Sequence, residues 1–372
     1  MRPEPCVVTL AKTVSADRGG HEAISRAALA QRLADLLGYA FAGEYDPHRD
    51  YGSHVYFVPQ ETLLCARARR LGVREENDLY GGAVPRRFLA TKAITHRAFG
   101  TRLPAGWPHA LAARLEDAVL PGYTVFAAED ADRAARILLR DGPVRLKPAH
   151  EIGGAGQRVV EDTAALAPAI AVLDAQALTR HGAVVERNLE AASTLSIGEA
   201  LAAGIRIAYF GVQQSTIDKH GNTVYGGSDL HVVRGGLFDL LDMDLPPAIR
   251  LAVEQACRYD AEIGRAFPRF FSSRRNYDVL QGHDARGRFL SGVLEQSWRI
   301  GGASPAEIAA LAAFKAHAGL GSVRARCREI HSAIVPPPAD ADVHFRGRDP
   351  ALGWMLKYST VELEPRGLAP AA

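Results

Sequence analysis

The chain has 372 residues, of which 47% are hydrophobic and 23% are charged, and its formal net charge is +2. This length predicts a globular protein of two or three domains, and the small net charge argues against binding to nucleic acid or to an anionic membrane surface. No apolar run approaches the ~20 residues that span a bilayer, the N-terminal residues lack the apolar core of a signal peptide, and four widely spaced cysteines fit free thiols, so we expect a cytoplasmic protein.

The first 85 residues alternate between strand and helix patterns. Short apolar runs predict strands at Cys6–Leu10 and Val55–Pro59, and apolar residues at helical spacing predict helices at His21–Leu37 and Glu61–Arg70. We interpret residues 1–85 as a small N-terminal α/β domain.

Residues 86–188 continue the α/β pattern and are interpreted as a second unit, which carries a glycine-rich loop. Its predicted elements, in chain order, are a helix at Arg86–Phe99, a strand at Leu120–Ala127, a helix at Asp130–Arg140 capped by Asp130, a helix at Thr163–Arg180 and a strand at Ala183–Glu186.

Residues 189–333 are richest in strand signals and form the largest predicted unit. Its predicted elements are strands between Thr194 and Val233 with a turn at His220–Asn222, a helix at Pro246–Phe267, strands at Asn276–Leu280 and Phe289–Gln296, and one long helix at Ser304–Ile330. Residues 334–372, which begin with a run of prolines, are predicted to be an extended C-terminal tail.

The glycine-rich loop lies within Pro143–Asp162. A strand ends at Lys147-Pro148, the glycines Gly153, Gly154 and Gly156 follow, and Arg158-Val159-Val160 predicts a returning strand. Glycine backbone N–H groups can approach anionic oxygens closely, so this pattern favours a phosphate-binding lid over an ordinary hairpin turn. The glycines do not open a helix and no Gly-Lys-Ser/Thr ends the loop, which excludes a Rossmann dinucleotide site and a Walker A loop.

Lysine is scarce in this chain, which sharpens the interpretation of Lys92 and Lys147. Of the 44 basic residues only six are lysines. Arginine supplies almost all the positive charge of the chain, and both Lys92 and Lys147 lie where a phosphate-binding site would need a point charge.

Two carboxylates accompany the loop further along the chain. Asp278 lies inside an apolar strand and Glu295 ends another, so the two side chains can share a hard divalent cation. The alternative is a pair of solvated acids at strand ends. The apolar runs around both residues, together with Arg299 and Gly301-Gly302 just after Glu295, favour the metal site.

In order and spacing, these motifs resemble those of the ATP-grasp superfamily between about Lys92 and Gly302. The chain also resembles an uncharacterised bacterial family described only as ATP-grasp-like. The resemblance implies an α/β (α+β) fold with an N-terminal pre-ATP-grasp domain, a lid subdomain and a larger catalytic subdomain. It implies ATP as the nucleotide, with Mg²⁺, or alternatively Mn²⁺, as the metal ion.

The resemblance also implies roles for individual residues. It places Lys92 and Lys147 on the phosphates, Glu186 and Leu189 at the adenine, and Asp278 and Glu295 on the metal ion. Two positions depart from the family pattern: Ser297 stands where the third metal ligand is usually Asn, and Glu190 is an offset substitute for the ribose-binding acid. The resemblance gives Arg299 to the transferred phosphoryl group or the substrate carboxylate. Arg234 is a further candidate for contact with the γ-phosphate or a substrate carboxylate, because its planar fork suits both, and the alternative is an edge-strand arginine in solvent.

The reaction implied is an ADP-forming ligation of a small-molecule carboxylate to an amine or thiol through an acyl phosphate. A phosphotransferase with the same fold, and a nucleotide-binding module without turnover, remain alternatives. No nucleic-acid or membrane partner is expected, and assembly into a homo-oligomer is left open.

Overall fold

The computed structural model describes residues 4–12, 20–151 and 156–364. Its α-helices are α1 His21–Leu37, α2 Cys65–Arg70, α3 His109–Leu115, α4 Ala128–Leu138, α5 Leu166–Ala171, α6 Ala175–His181, α7 Pro247–Ala266 and α8 Ser304–Ala316. Its strands are β1 Cys6–Leu10, β2 Ala40–Glu44, β3 Val55–Pro59, β4 Leu63–Leu64, β5 Gly82–Val84, β6 Gly122–Val125, β7 Val144–Pro148, β8 Arg158–Val160, β9 Ala183–Arg187, β10 Glu190–Ala202, β11 Ile205–Ile217, β12 Thr223–Arg234, β13 Phe271–Ser272, β14 Arg274–His283, β15 Phe289–Ser297, β16 Ser322–Ile330, β17 Asp342–Asp349 and β18 Gly353–Glu364. No helix within these ranges is long and apolar enough to cross a bilayer.

The N-terminal region is built on a three-stranded parallel sheet of order β2-β1-β3. The predictions of β1, α1 and β3 are confirmed, and α1 ends where Gly38 takes a left-handed conformation with φ 73°. The helix predicted at Glu61–Arg70 is shorter, because Leu63 and Leu64 pair with β5 as a strand before α2 begins.

The second region contains a four-stranded antiparallel sheet of order β6-β9-β7-β8, which packs against α4 and α5. Two helix predictions in it are wrong in extent. Arg86–Phe99 forms two 3₁₀ turns, Arg87–Ala90 and Lys92–Thr95, because the Thr91 side chain accepts from Ala93 N and interrupts the helix between them. Thr163–Arg180 divides into α5 and α6, where the Asp174 side chain caps α6 by accepting from Ala177 N. Asp130 lies inside α4 and does not cap it.

The largest sheet has eight antiparallel strands in the order β15-β14-β10-β11-β12-β16-β18-β17. Successive side chains of a strand point to opposite faces. On one face Ile197 of β10 and Tyr277 of β14 pack with α7. Their neighbours Ser196, Asn276 and Asp278 therefore point to the other face, which also carries Tyr209.

The long helix predicted at Ser304–Ile330 is wrong in its second half. α8 ends at Ala316, and the chain returns as β16, in which Val323, Ala325 and Cys327 are buried in alternation with more exposed arginines. That period of two is typical of a strand, and two glycines, Gly319 and Gly321, separate it from the helix.

The predicted extended tail, 334–372, also differs from the structure. Its residues 342–364 form β17 and β18, and β18 pairs with β16 over nine residue pairs, so this segment belongs to the large sheet. Its apolar side chains Phe345, Met355 and Leu356 are buried, which explains why it packs.

Candidate ATP and metal site

The two predicted metal-binding carboxylates lie together on the face of the large sheet opposite α7. Asp278 of β14 is directly opposite Glu295 of β15, and Asn276 is directly opposite Ser297. Directly opposed residues of an antiparallel pair have Cβ atoms about 4.5–5.5 Å apart, so each pair can share a ligand. Asp278 Oδ1 accepts hydrogen bonds from Asn276 Nδ2 and Gln213 Nε2, both at 2.8 Å. Burial raises the pKa of Asp278, and these two donors oppose that rise.

Lys92 reaches this carboxylate pair from the 3₁₀ turn that it begins. Its Nζ lies 2.6 Å from Glu295 Oε2 and 2.5 Å from the Glu151 carbonyl oxygen. Burial, followed by the charges of Lys147 and Arg299, lowers the pKa of Lys92 to about 8, although Asp278 acts in the opposite direction. An ammonium group therefore lies against a predicted metal ligand.

The turn that carries Lys92 is attached to β15 by Gln296. Gln296 Nε2 donates to the carbonyl oxygens of Leu89 at 2.9 Å and Thr91 at 2.7 Å, and its Oε1 accepts from Tyr259 OH at 3.0 Å. Gln296 follows Glu295 and points to the other side of the strand. Glu295 thus provides the carboxylate that contacts Lys92, and Gln296 supports the turn that carries this lysine.

Lys147 lies on β7 and forms an ion pair with Glu186 of β9, with 2.5 Å between Nζ and Oε1. His96 Nε2 lies 3.0 Å from the other oxygen, Oε2. Burial alone would raise the pKa of Glu186, but Lys147 and the His96 hydrogen bond outweigh it and lower the pKa to about 2. Glu186 is therefore a carboxylate that holds Lys147 in place.

The resemblance implies that Glu186 contacts the adenine, whereas in the structure its carboxylate contacts Lys147 and His96. Both carboxylate oxygens are already engaged and the side chain is fully buried. Leu189 and Glu190, the other two residues predicted to bind the nucleoside, are consecutive at the link from β9 to β10. Leu189 is buried there, and the Glu190 side chain is exposed. Asn188 N donates to Pro143 O at 3.0 Å, which fixes this link beside the start of β7.

The strands on either side of the predicted phosphate loop are confirmed as β7 and β8, which pair in register. Gly153 and Gly154 lie outside the described residues. Gly156 has φ 68°, a left-handed conformation in which an L side chain would be strained, and an added Cβ would lie 3.1 Å from the Pro148 ring.

On the same face of the sheet as the two carboxylates lies a buried polar network centred on Arg274. Its guanidinium pairs with Glu307 of α8 at 2.8 Å and donates to the Arg299 carbonyl oxygen at 2.6 Å. Glu307 also accepts from Tyr80 OH at 2.6 Å and Tyr209 OH at 2.5 Å. The spacing of Arg274, Asn276 and Asp278 at i, i+2 and i+4 was the available signal that all three share one face.

The same network changes the interpretation of Ser297. Arg274 Nη1 donates to Ser297 Oγ at 3.1 Å and to its carbonyl oxygen at 3.0 Å. A hydroxyl already bound by a buried guanidinium is a poor ligand for a divalent cation, because the two positive charges would repel each other. The geometry therefore does not favour Ser297 as the third metal ligand.

The two predicted catalytic arginines have different surroundings. Arg299 follows the carboxylate strand, and burial together with the Arg274 charge lowers its pKa to about 10, while Asp278 acts to raise it. Arg234 is not brought to this cluster. Its guanidinium stacks 4.8 Å from the Phe314 ring and donates to the Phe314 carbonyl oxygen at 2.5 Å, so it caps the C-terminal end of α8, where carbonyl groups favour a cation.

A divalent cation fits the carboxylate pair. Asp278 and Glu295 offer the oxygen ligands that Mg²⁺ prefers, and the Lys92 ammonium beside Glu295 shows that a positive charge is accommodated there. No group of three or more His, Cys, Asp or Glu side chains that could hold a metal ion occurs in the described part of the chain. Phosphate and water oxygens would have to complete the coordination.

The fold has close counterparts among solved structures. A biotin carboxylase–β,γ-ATP complex from Campylobacter jejuni has a TM-score of 0.51 at 14% identity, covering 96% of this chain and 87% of that chain. The biotin carboxylase domain dimer of the Hydrogenobacter thermophilus 2-oxoglutarate carboxylase, solved with MgADP, ADP and bicarbonate, has a TM-score of 0.50 at 15% identity, covering 98% and 87%. At these identities the likeness establishes the fold alone.

These counterparts are ATP-grasp enzymes, so the α/β fold of this chain is the ATP-grasp fold that its motifs predicted. No curated protein sequence matches the chain. A family model described as "Protein of unknown function (DUF3182)" matches residues 8–359, and the chain belongs to that family.

Proposed function

We propose that the protein is an ATP- and Mg²⁺-dependent, ADP-forming ligase that joins a small-molecule carboxylate to an amine or thiol through an acyl phosphate. One observation carries this proposal. Of the six lysines, Lys92 is buried against Glu295 of a cross-strand carboxylate pair, and the buried Lys147 lies close enough to Lys92 to lower its pKa. Concentrated positive charge next to oxygen ligands is what a metal–triphosphate complex requires.

In this proposal, Lys92 and Lys147 bind the phosphates as point charges, and Asp278 and Glu295 hold the metal ion. Mg²⁺ would neutralise charge on the phosphate oxygens when bound. Arg299 would stabilise the negative charge on the transferred phosphoryl group or orient the substrate carboxylate, because its planar fork matches both. Glu186 and His96 keep Lys147 oriented, and the link at Leu189 and Glu190 borders the nucleotide.

The proposed reaction has two steps, and the second step, attack of the amine or thiol on the acyl phosphate, determines the product. The substrate carboxylate oxygen attacks the γ-phosphorus and ADP leaves, giving an acyl phosphate. The nucleophile then attacks the acyl carbon and inorganic phosphate leaves. Positioning contributes most of the rate, since an oriented pair of reactants avoids much of the entropic cost of meeting.

A nucleotide-binding module without turnover is the second candidate, and the contact between Arg274 and Ser297 favours it. That contact engages Ser297, so Asp278 and Glu295 are the two that remain of the three predicted metal ligands. A phosphotransferase is distinguished from both by a phosphorylated product that forms without an amine or thiol.

Thermal unfolding with and without Mg-ATP tests the site. At ~100 times its dissociation constant, a ligand adds ~2.7 kcal/mol to the native state. We expect this stabilisation in the wild type, a clear loss in Asp278→Asn, and no loss in Lys219→Met, because Lys219 is an exposed lysine of the β11–β12 turn. Equal stabilisation of all three proteins would contradict the assignment.

A screen for ADP release then tests the reaction. Pairs of carboxylates and amines or thiols are added with Mg-ATP, each alone and together. Release that requires both partners supports the ligase, release with one acceptor supports a phosphotransferase, and binding without any release supports the second candidate.

A further inference from the structure

A basic cavity outside the proposed ATP site lies between α2 and the segment that joins α7 to β13. Its volume is about 420 Å³, within the range of small-molecule sites. Its polar lining comes from Arg69, Arg74 and Arg269, and its apolar lining includes Cys65, Val73 and Phe270. None of the residues assigned above to nucleotide or metal lines it.

In the described part of the chain, no acidic side chain forms an ion pair with the three arginines of this cavity, Arg69, Arg74 and Arg269. Arg67 of the same helix, by contrast, pairs with Glu61 at 2.8 Å. Two of these arginines act on the Cys65 thiol: burial raises its pKa, and the charges of Arg269 and Arg69 oppose that rise. The three guanidinium groups are exposed, so water and salt screen their mutual repulsion, and an anion between them would be attracted by all three.

The cavity walls are held by contacts between the two segments. Cys65 Sγ donates to the Arg269 carbonyl oxygen at 3.4 Å, and β13 pairs with β5 at Phe271 and Ala83. The Phe270 ring packs on Trp298, with 4.4 Å between ring centroids. These contacts hold the backbone of the two segments together and fix the position of the Phe270 ring in the cavity lining.

We propose that this cavity binds a small organic oxyanion, a phosphate monoester or a carboxylate, whose apolar body rests on Phe270. Guanidinium forks match the oxygens of both headgroups, and the apolar lining matches a compact ring or alkyl group. Trp298 stands between Ser297 and Arg299 in the chain, so an occupant of the cavity is separated from the proposed active site by the Phe270 and Trp298 rings.

Titration calorimetry with phenyl phosphate, benzoate and inorganic phosphate tests this proposal. We expect phenyl phosphate or benzoate to bind the wild type at least tenfold more tightly than inorganic phosphate does, and the stronger of the two identifies the headgroup. The double variant Arg69→Gln/Arg269→Gln should bind that probe at least tenfold more weakly. Arg70→Gln, one residue along α2 and outside the cavity lining, should bind it as the wild type does.

A phosphate probe could also enter the proposed ATP site, so a second variant separates the two. Lys147→Met/Glu186→Gln removes the ion pair, and with it the Lys147 ammonium, from that site. Neither residue lines the cavity, so we expect this variant to retain the affinity for the probe. Loss of binding in this variant with retention in Arg69→Gln/Arg269→Gln would overturn the proposal. So would the absence of binding by every probe at about 10 mM. Both arginines are exposed, so the double variant should keep the melting temperature of the wild type.

Discussion

The ion pair of Lys147 and Glu186 is deeply buried in the candidate site, with Lys147 2% exposed and Glu186 0% exposed. A buried carboxylate that loses its partner remains uncompensated, and this typically costs about 3–5 kcal/mol. The pair therefore matters for folding as well as for phosphate binding.

We expect Lys147→Met to lower the free energy of unfolding by about 3–5 kcal/mol in urea denaturation. Adding Glu186→Gln should recover more than half of that loss, because a neutral amide no longer needs a cation. Lys219→Met should change the value by no more than about 0.5 kcal/mol. A double variant as unstable as the single one would show that packing, not charge, causes the effect.

The lowered pKa of Lys92 predicts how nucleotide binding depends on pH. In the free protein Lys92 loses its proton as the pH rises through about 8. A phosphate ligand favours the protonated form, so above that pH binding must take up a proton and the affinity for Mg-ATP should fall, by up to about tenfold per pH unit. Below that pH the affinity should level off.

Lys92→Arg is the matched control, because a guanidinium stays protonated throughout this range. Titration calorimetry between about pH 7 and about pH 9.5 should give a falling affinity in the wild type and a flat profile in the variant. Parallel profiles in the two proteins would assign the pH dependence to another group.

At the scale of residues, the sequence drew attention to side chains whose chemistry is unusual for their position in the chain. Lys147 was identifiable because lysine is scarce and a glycine loop follows it, and Asp278 because a carboxylate interrupts an apolar strand. His96 and Glu307 were not, because their partners lie 90 and 33 residues away along the chain and meet them only through the tertiary fold. Arg234 is of a residue type that suits phosphate, but the structure places it at the end of α8, away from the carboxylate pair. Nothing in its local sequence shows that α8 ends beside it.

At the scale of elements, β15 organises the candidate site with consecutive residues that point to opposite sides. Glu295 lies on the carboxylate face, and Gln296 fastens the Lys92 turn by two hydrogen bonds to carbonyl oxygens. Removal of the amide would leave those two carbonyl groups without this donor, at a typical cost of about 1–3 kcal/mol.

We expect Gln296→Ala to increase hydrogen exchange in residues 87–95 without affecting α1, and to weaken Mg-ATP binding through the displaced lysine. Hydrogen exchange followed by mass spectrometry measures the first effect, and calorimetry measures the second. Gln214→Ala, an exposed glutamine of β11, should change neither. Uniform loss of protection across the chain would indicate general destabilisation instead.

Elements were predictable where one local signal was sufficient. β1, α1 and β3 follow from apolar periodicity and, for α1, from a terminal glycine. The helices predicted at Arg86–Phe99 and Ser304–Ile330 were wrong because stronger interactions compete with helix propensity. In the first, Lys92 N donates to Ala149 O, and in the second, residues 322–330 complete a sheet.

At the scale of the whole molecule, the N-terminal region and the large sheet are joined by buried polar contacts. Tyr80 donates to Glu307, Gly82 N donates to the Trp298 carbonyl oxygen at 2.8 Å, and one hydrophobic core contains side chains of both α1 and α8. The sequence pattern suggested separable units, but cores that cross their boundaries favour unfolding as one body.

Deletion of residues 334–372 distinguishes the structure from the extended tail that the sequence suggested. It would expose the edge of β16, remove the buried side chains of Phe345, Met355 and Leu356, and take away Asp349, which accepts from His21 N at 2.9 Å at the start of α1. Each apolar side chain contributes about 1.5–3 kcal/mol, so the melting temperature should fall by more than about 10 °C. Deletion of residues 365–372 alone should change it by less than about 2 °C, because β18 is retained. If the longer deletion left the melting temperature unchanged, β17 and β18 would not be integral strands of the large sheet.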